Sequence, residues 1–403
     1  MALTEKMKSA VHLERKSGVS AFPTVHRYTR REEDTRLNRC SMGIVRPLEE
    51  RDVARVAELH ERVMPKAPHL TPASLRAHLS RILLQHPWRA ESMPSLVYEE
   101  NNGKVVGCLG VMPRPMSFQD RPITAAISHS FMVEPSKRST LAALELAQKF
   151  VSGPQDLSLA EGGNVSRTIW EKYGGTVSLQ YSLCWTRPLR PGRYVLSFLR
   201  RRGLPPALGW ALRPLCQLAD AVAPLVGRPF HFPAPPVPGA ELDGKTLCES
   251  VSEFTQDRLL HPRYVERSSS WLLETLAQKQ GRGTLQSAVV RNEWKETIGW
   301  YLYYGNSGGI GAVVQIGAKE GCAEEVLDHL SYHAKQRGLV AISGQVDPAL
   351  FQALSSKDCL FHHDGGSWML VHSKHPELLQ AIHRGDAFLT RLEGEWWISF
   401  LLS

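Results

Sequence analysis

Residues 123–151, ITAAISHSFMVEPSKRSTLAALELAQKFV, change hydrophobic period in mid-run, and this restricts the fold more than any other stretch. Up to Val133 the residues are β-branched or apolar with polar ones interleaved, which predicts a strand shielded on both faces. Pro135 cannot continue a central strand, and residues 136–140 are polar. From Leu141 the apolar positions Leu141, Leu144, Ala147 and Val151 fall on one helical face. A chain that must pass from strand through a short loop into a helix is committed to an α/β crossover.

A helix N-terminus directly after a strand presents unpaired N–H groups and the positive end of the macrodipole, so it accepts phosphate. Lys137 and Arg138 add charge there. The arrangement resembles the acyl-CoA loop of the GNAT superfamily of N-acyltransferases, in which a Val-x-Pro-like turn leads into Arg or Gln, two spacers, Gly, one spacer, then Gly or Ala. Val133, Pro135, Arg138 and Ala143 fit, whereas Leu141 stands at the first glycine position. Glycine there lets a backbone approach a pyrophosphate closely, so the departure bears on donor binding.

Other segments extend the resemblance. Residues 44–48 read as a strand, and Val53, Val56, Leu59 and Val63 as one face of a helix; Thr71-Pro72 is an N-cap followed by proline at the first helical position. Residues 95–111 form two strands around Asn102-Gly103, and a second turn at 119–121 feeds the central strand. After the crossover come a strand at 156–161, a helix at 164–172 ending at Gly174-Gly175, and an alternating run at 177–185 expected as one strand. The run from Asn164 to Gly175 is similar to the GNAT C-terminal motif, with Trp170 where that family has its tyrosine.

The second half repeats the pattern: strands at 285–291, 297–304 and 310–316, the loop Gly317 to Cys322, then a helix carrying Ala323, Val326, Leu327, Leu330 and Ala334 on one face. Gly321 and Ala323 keep the small residues, while Ala318 replaces the Arg or Gln. The expected fold class is therefore α/β with a mixed sheet, two GNAT-like domains in tandem. The expected boundaries are a basic leader at 1–43, without periodicity; a first domain at 44–188; a linker with short helices at 189–245, where prolines accumulate; and a second domain at 246–403.

A length of 403 residues suits two domains, and a net charge of +8 suits an anionic partner without selecting one. The seven cysteines are scattered without metal spacing, which points to a reduced, cytoplasmic setting and no metal. No apolar run reaches the roughly 20 residues of a membrane span. There is no basic–aromatic stripe to favour nucleic acid. Arg200-Arg201-Arg202 beside apolar pieces fit a membrane surface, but a helix packed between domains accounts for the same residues.

The resemblance implies attack by a primary amine, of a small molecule or an amino sugar, on acetyl-CoA or another acyl-CoA. An alkyl amine is only about one part in a thousand neutral at pH 7, so a base or a desolvating pocket is needed. Carried over, the backbone of Phe131, Met132 and Val133 polarises the thioester; Arg138, Ser139, Thr140, Leu141, Ala142 and Ala143 hold the pyrophosphate; Asn164 touches the pantetheine arm. His129 and Glu134 are the nearest bases, each with a plain alternative as a core histidine and a solvated turn residue. Tyr173 substitutes for the acid lost at Trp170. The rival expectation is a catalytically degenerate GNAT-like binding or assembly protein.

Overall fold

The computed structural model describes residues 43–64, 71–137, 141–226, 230–279, 283–363, 365–392 and 394. The first half runs β1 (Ile44–Pro47), α1 (Val53–Val63), α2 (Pro72–Leu83), β2 (Leu96–Glu99), β3 (Val105–Phe118), β4 (Arg121–Val133), α3 (Ala142–Val151), β5 (Leu157–Gly162), α4 (Asn164–Lys172), β6 (Thr176–Ser178), α5 (Leu179–Ser182) and β7 (Cys184–Pro188). Three helices follow, α6 (Pro191–Arg201), α7 (Pro206–Ala211) and α8 (Arg213–Val226). The second half holds α9 (Gly244–Phe254), β8 (Leu260–Pro262), α10 (Glu266–Ala277), β9 (Thr284–Arg291), β10 (Thr297–Gly305), β11 (Ile310–Ala318), α11 (Ala323–Gln336), β12 (Ala341–Gln345), α12 (Phe351–Ser356), β13 (Leu360–His362), β14 (Trp368–Ser373) and α13 (Pro376–Arg384).

Local chemistry sets several of these boundaries. Thr71 caps α2 by accepting from the Ser74 N–H, with Pro72 in the first turn; Asp243 caps α9 by accepting from Thr246 at 2.7 Å. The β3–β4 hairpin turns at Gln119 and Asp120, both at positive φ, as a two-residue turn demands. Asp52 is fully buried because Arg46 holds both its oxygens, at 2.6 and 2.8 Å.

The strands make two mixed sheets, ordered β1-β2-β3-β4-β5-β14-β6 and β13-β7-β12-β11-β10-β9, with β8 paired to β3. In each the only parallel pair is the one bridged by a crossover helix, β4/β5 by α3 and β11/β12 by α11. The run expected as one strand at 177–185 is instead β6, a helical turn and β7, and its ends lie in different sheets. The break falls at Tyr181, whose buried hydroxyl donates to the Ala387 carbonyl at 2.6 Å. Likewise β14, late in the chain, sits in the first sheet between β5 and β6.

Each sheet carries its crossover helix on one face. Leu146, Phe150 and Trp170 fill the space between the first sheet and α3 and α4; Val326, Leu327, Leu330 and Leu354 do so beneath α11 and α12. The opposite faces share one core. It takes in Val56 and Leu59 of α1, Leu79 and Ile82 of α2, Cys108 and Met112 of β3, Leu272 of α10, Trp300 of β10 and Phe388.

Candidate active site

The parallel ladder between β4 and β5 is short. It runs from Ala125↔Leu157 to Ser128↔Ala160 and stops, although β4 continues to Val133 and β5 to Gly162. The cause lies in β4. Its pairing with β3 shifts register between Cys108 and Gly110, and Ser130 in the irregular stretch has φ of 49°. A bulge of this kind bends the strand that carries it, so residues 129–133 stay with β3 and turn away from β5. Meanwhile β5 keeps to β14 through Glu161↔Met369 and Gly162↔Trp368. The two strands open a V whose β4 edge has no strand partner on that side among the described residues.

At the open end, Pro135–Lys137 form one 3-10 turn and α3 begins at Ala142. Arg138, Ser139 and Thr140 lie outside the described residues. Leu141 is the N-cap of α3, with right-handed φ and ψ of −71° and −9° and a side chain 63% exposed. It does not fill the V, and its backbone conformation is one that any residue adopts. Ala142 is buried and Ala143 packs against the core beneath α3. Trp170 is a core residue too, its ring 5.9 Å from Phe150.

The other anticipated residues distribute unevenly. Phe131 and Val133 pack on the α3 side and Met132 in the shared core. Asn164 is exposed at the start of α4, its carboxamide oxygen accepting from Trp368 Nε1 at 2.7 Å. Tyr173 is half-buried against the core of α3 and α4. Glu134 is tied to Lys104 at 2.9 Å and Arg62 at 3.7 Å, on the β3 side of the turn. His129 is wholly buried, its ring lying where a Gly110 Cβ would be, 2.4 Å away. Burial first, then the charges of His86 and His78, push it down to about 3. His129 is thus packed in the core, and Glu134 is an ion-paired residue of the turn. At the end of β13, His362 bonds Thr186 at 3.0 Å, while the ring of the next residue, His363, lies 4.1 Å from that of Trp368, so the adjacent pair diverges.

A further buried carboxylate, which local pattern does not single out, stands near the opening of the two strands. Glu161 follows the last residue of β5 that pairs with β4, on the face opposite α3, and is 4% exposed. Arg391 donates to its Oε1, while Oε2 has no hydrogen-bond partner among the described residues. Arg391 is fixed in turn: its N–H donates to Gln315 Oε1 at 3.0 Å and its second guanidinium nitrogen to the Tyr181 carbonyl. Glu161 lines a cavity with Ile127, Leu159, Met369, Phe388 and Arg114, whose guanidinium lies 3.9 Å over Trp88 and 4.9 Å over Tyr264. Glu161 is thus a buried carboxylate in the wall of a largely apolar cavity, held in place through one oxygen by an arginine.

The second sheet opens in the same way. β11 and β12 pair only from Ile310↔Ala341 to Ala312↔Ser343. There, however, Leu389 and Arg391 of the C-terminal segment line the gap beside Val313, Gln315 and Val346.

A mixed α/β protein with paired sheets, each opened along its parallel strand pair ahead of a crossover helix, is the class these features define. No family model matches the sequence, and no curated protein matches it. Among solved structures, the chain is similar to a conserved protein of unknown function from Enterococcus faecalis V583, described as a probable N-acyltransferase, with a TM-score of 0.55 and 11% identity over 85% of this chain and 74% of that one. It is similar to a GCN5-related N-acetyltransferase from Anabaena variabilis ATCC 29413, with a TM-score of 0.55 and 10% identity over 83% and 74%. Saccharomyces cerevisiae N-myristoyltransferase matches with a TM-score of 0.49 and 14% identity over 85% and 83%. The chain shares the fold of the first two of these proteins, and its own strands build that arrangement as two similarly ordered sheets.

Proposed function

We propose that this protein is an acyl-CoA-dependent N-acyltransferase, with its donor site in the first half and a primary amine of a small molecule or amino sugar as acceptor. The parting of β4 from β5 after Ser128 and Ala160 carries the reading: it leaves an unpaired strand edge at residues 129–133 beside a helix N-terminus. The edge around Phe131 to Val133 would polarise the thioester carbonyl, the corner from Arg138 to Ala143 would hold the pyrophosphate, and Asn164 would meet the pantetheine. Glu161 would take the amine proton as the C–N bond forms and the C–S bond breaks, and Tyr173 is the candidate donor of a proton to the departing thiolate.

A GNAT-like assembly protein without acyl transfer is the second reading, and the loss of glycine at Leu141 favours it. Against it, Leu141 faces solvent in an ordinary helical conformation. Isothermal titration with CoA and acetyl-CoA, at protein concentrations that reveal micromolar binding, decides between them. Binding by the wild type, lost in Arg138→Glu at an unchanged melting temperature, is the expected result. No heat with either ligand sinks the acyltransferase reading, and binding that survives Arg138→Glu moves the site to the corner at Gly321 and Ala323.

A further inference from the structure

The three helices between the halves form a rooted hairpin. Arg190 donates to the carbonyls of Leu339 and Lys335 at 3.2 and 2.9 Å, and Leu196 is buried. α6 meets α8 backbone to backbone at Gly192, where a Cβ would lie 2.3 Å from the Cys216 carbonyl oxygen. Asp220 ties the joint by accepting from the Gly192 N–H and from Arg193 Nε, each at 2.7 Å. Arg200 reaches the Gly209 carbonyl at 3.1 Å and so fixes α7.

The exposed side of this hairpin is rich in apolar residues that no described residue covers. On α8 the exposed residues Leu215, Leu218, Val222 and Leu225 recur at i, i+3, i+7 and i+10, one stripe along the helix. α6 adds exposed Val195, Phe198 and Leu199, and α7 adds Leu208 and Trp210, the indole 75% exposed. Around them stand exposed Arg200, Arg201, Arg202 and Arg213, with the Arg202 guanidinium 4.5 Å over the Phe198 ring. Within residues 189–226 the one acidic residue is Asp220, and it is engaged in the joint. Isolated surface leucines are ordinary, but an exposed apolar stripe along a whole helix, with further exposed apolar residues on the two helices beside it, marks a binding surface.

We propose that this face rests on the surface of an anionic lipid bilayer. Aliphatic stripes that enter the acyl boundary, arginines at the level of lipid phosphates and an exposed tryptophan at the interface are the three elements of interfacial helix binding. The charge argues for lipid: an arginine-rich rim with no free carboxylate complements a plane of phosphates. No described helix is long and apolar enough to cross a membrane, so the contact is peripheral.

The test is co-sedimentation of the full chain with vesicles containing about 30% phosphatidylserine, compared with pure phosphatidylcholine. Binding should be at least about tenfold tighter to the anionic vesicles and should weaken as NaCl rises from about 0.1 M to about 0.5 M. Leu215→Gln, Leu218→Gln and Leu225→Gln together should lower partition about tenfold without changing the melting temperature, since all three are exposed. Arg200→Glu, Arg201→Glu and Arg202→Glu should abolish the anionic preference. Quenching by brominated lipid that falls in Trp210→Phe reports insertion independently of those variants. The proposal is overturned by absence of vesicle binding, by binding equal on both lipids, or by binding that survives both triple variants. A dimer in sedimentation velocity that the leucine triple dissolves also overturns it, assigning the face to a second copy.

Discussion

At the scale of single residues, the proposed base, Glu161, is not the residue that position in sequence suggests, His129. His129 is the only histidine near the end of the central strand, so a local reading favours it; Glu161 reads only as the last residue of a short strand. What promotes Glu161 is Arg391, 230 positions later, and no local pattern connects the two. Glu161→Gln keeps the shape and a donor–acceptor amide, so kcat should fall about a hundredfold while donor binding stays unchanged. Steady-state kinetics beside CoA titration checks this, and equal activity in the variant removes Glu161 as base. His129 makes a different prediction. Its folded value of about 3 lies far below the roughly 6.5 of an unfolded chain. Between those values the unfolded state binds a proton that the native state refuses, so the contribution is full above about 6.5 and is lost as pH falls. His86, pushed down to about 4 by burial and then by Arg114 and Arg89, acts in the same sense. Urea unfolding at pH 7.5 and 5.5 should show stability lower at pH 5.5 by about 1.4 kcal/mol in total for each group, nearly all of it lost below about pH 6.5, and a flat profile would contradict their burial.

At the scale of elements, the strand–loop–helix at 123–151 is legible because its hydrophobic period changes at Pro135, and α4 is legible from the glycines that end it. The bulge is not. Ser130 at positive φ has no signature in SHSF, since serine has no preference for that conformation, yet it is what bends β4 away from β5. Leu141 errs in the other direction. Sequence registers a missing glycine, but the N-cap it occupies needs none, and the departure touches only how near a ligand can come. Residues 177–185 mislead for a third reason: two three-to-five-residue strands with a helical turn between them alternate much as one strand would. The prolines of the middle segment read correctly as a bar to one long helix, and Pro191 and Pro206 open α6 and α7 in the place where a missing N–H costs nothing.

At the scale of the molecule, the two sheets share one order with a reciprocal exchange. β2-β3-β4-β5-β14-β6 corresponds to β9-β10-β11-β12-β7-β13, so the fifth strand of each row is supplied by the other half of the chain. Repetition of the pattern is visible in sequence; the exchange is not, because it concerns which edge a strand finds rather than how it is composed. Boundaries drawn at 188 and 246 therefore each enclose a strand that pairs in the other sheet. β6 pairs with β14 alone, so the first half without the second would lose two strands and expose the edge of β5. The C-terminal segment tightens the link: Phe388 donates from its backbone to Leu260, and Arg391 joins Gln315 of the second sheet to Glu161 of the first. Unfolding of residues 43–403 should accordingly be one cooperative transition, with far-ultraviolet circular dichroism and tryptophan fluorescence giving coincident midpoints in urea. Residues 43–243 and 244–403 should be insoluble when expressed apart and recover a common complex when expressed together. Two separate transitions, or a soluble first half with native-like exchange protection in β5, would mean that each sheet stands without its borrowed strand.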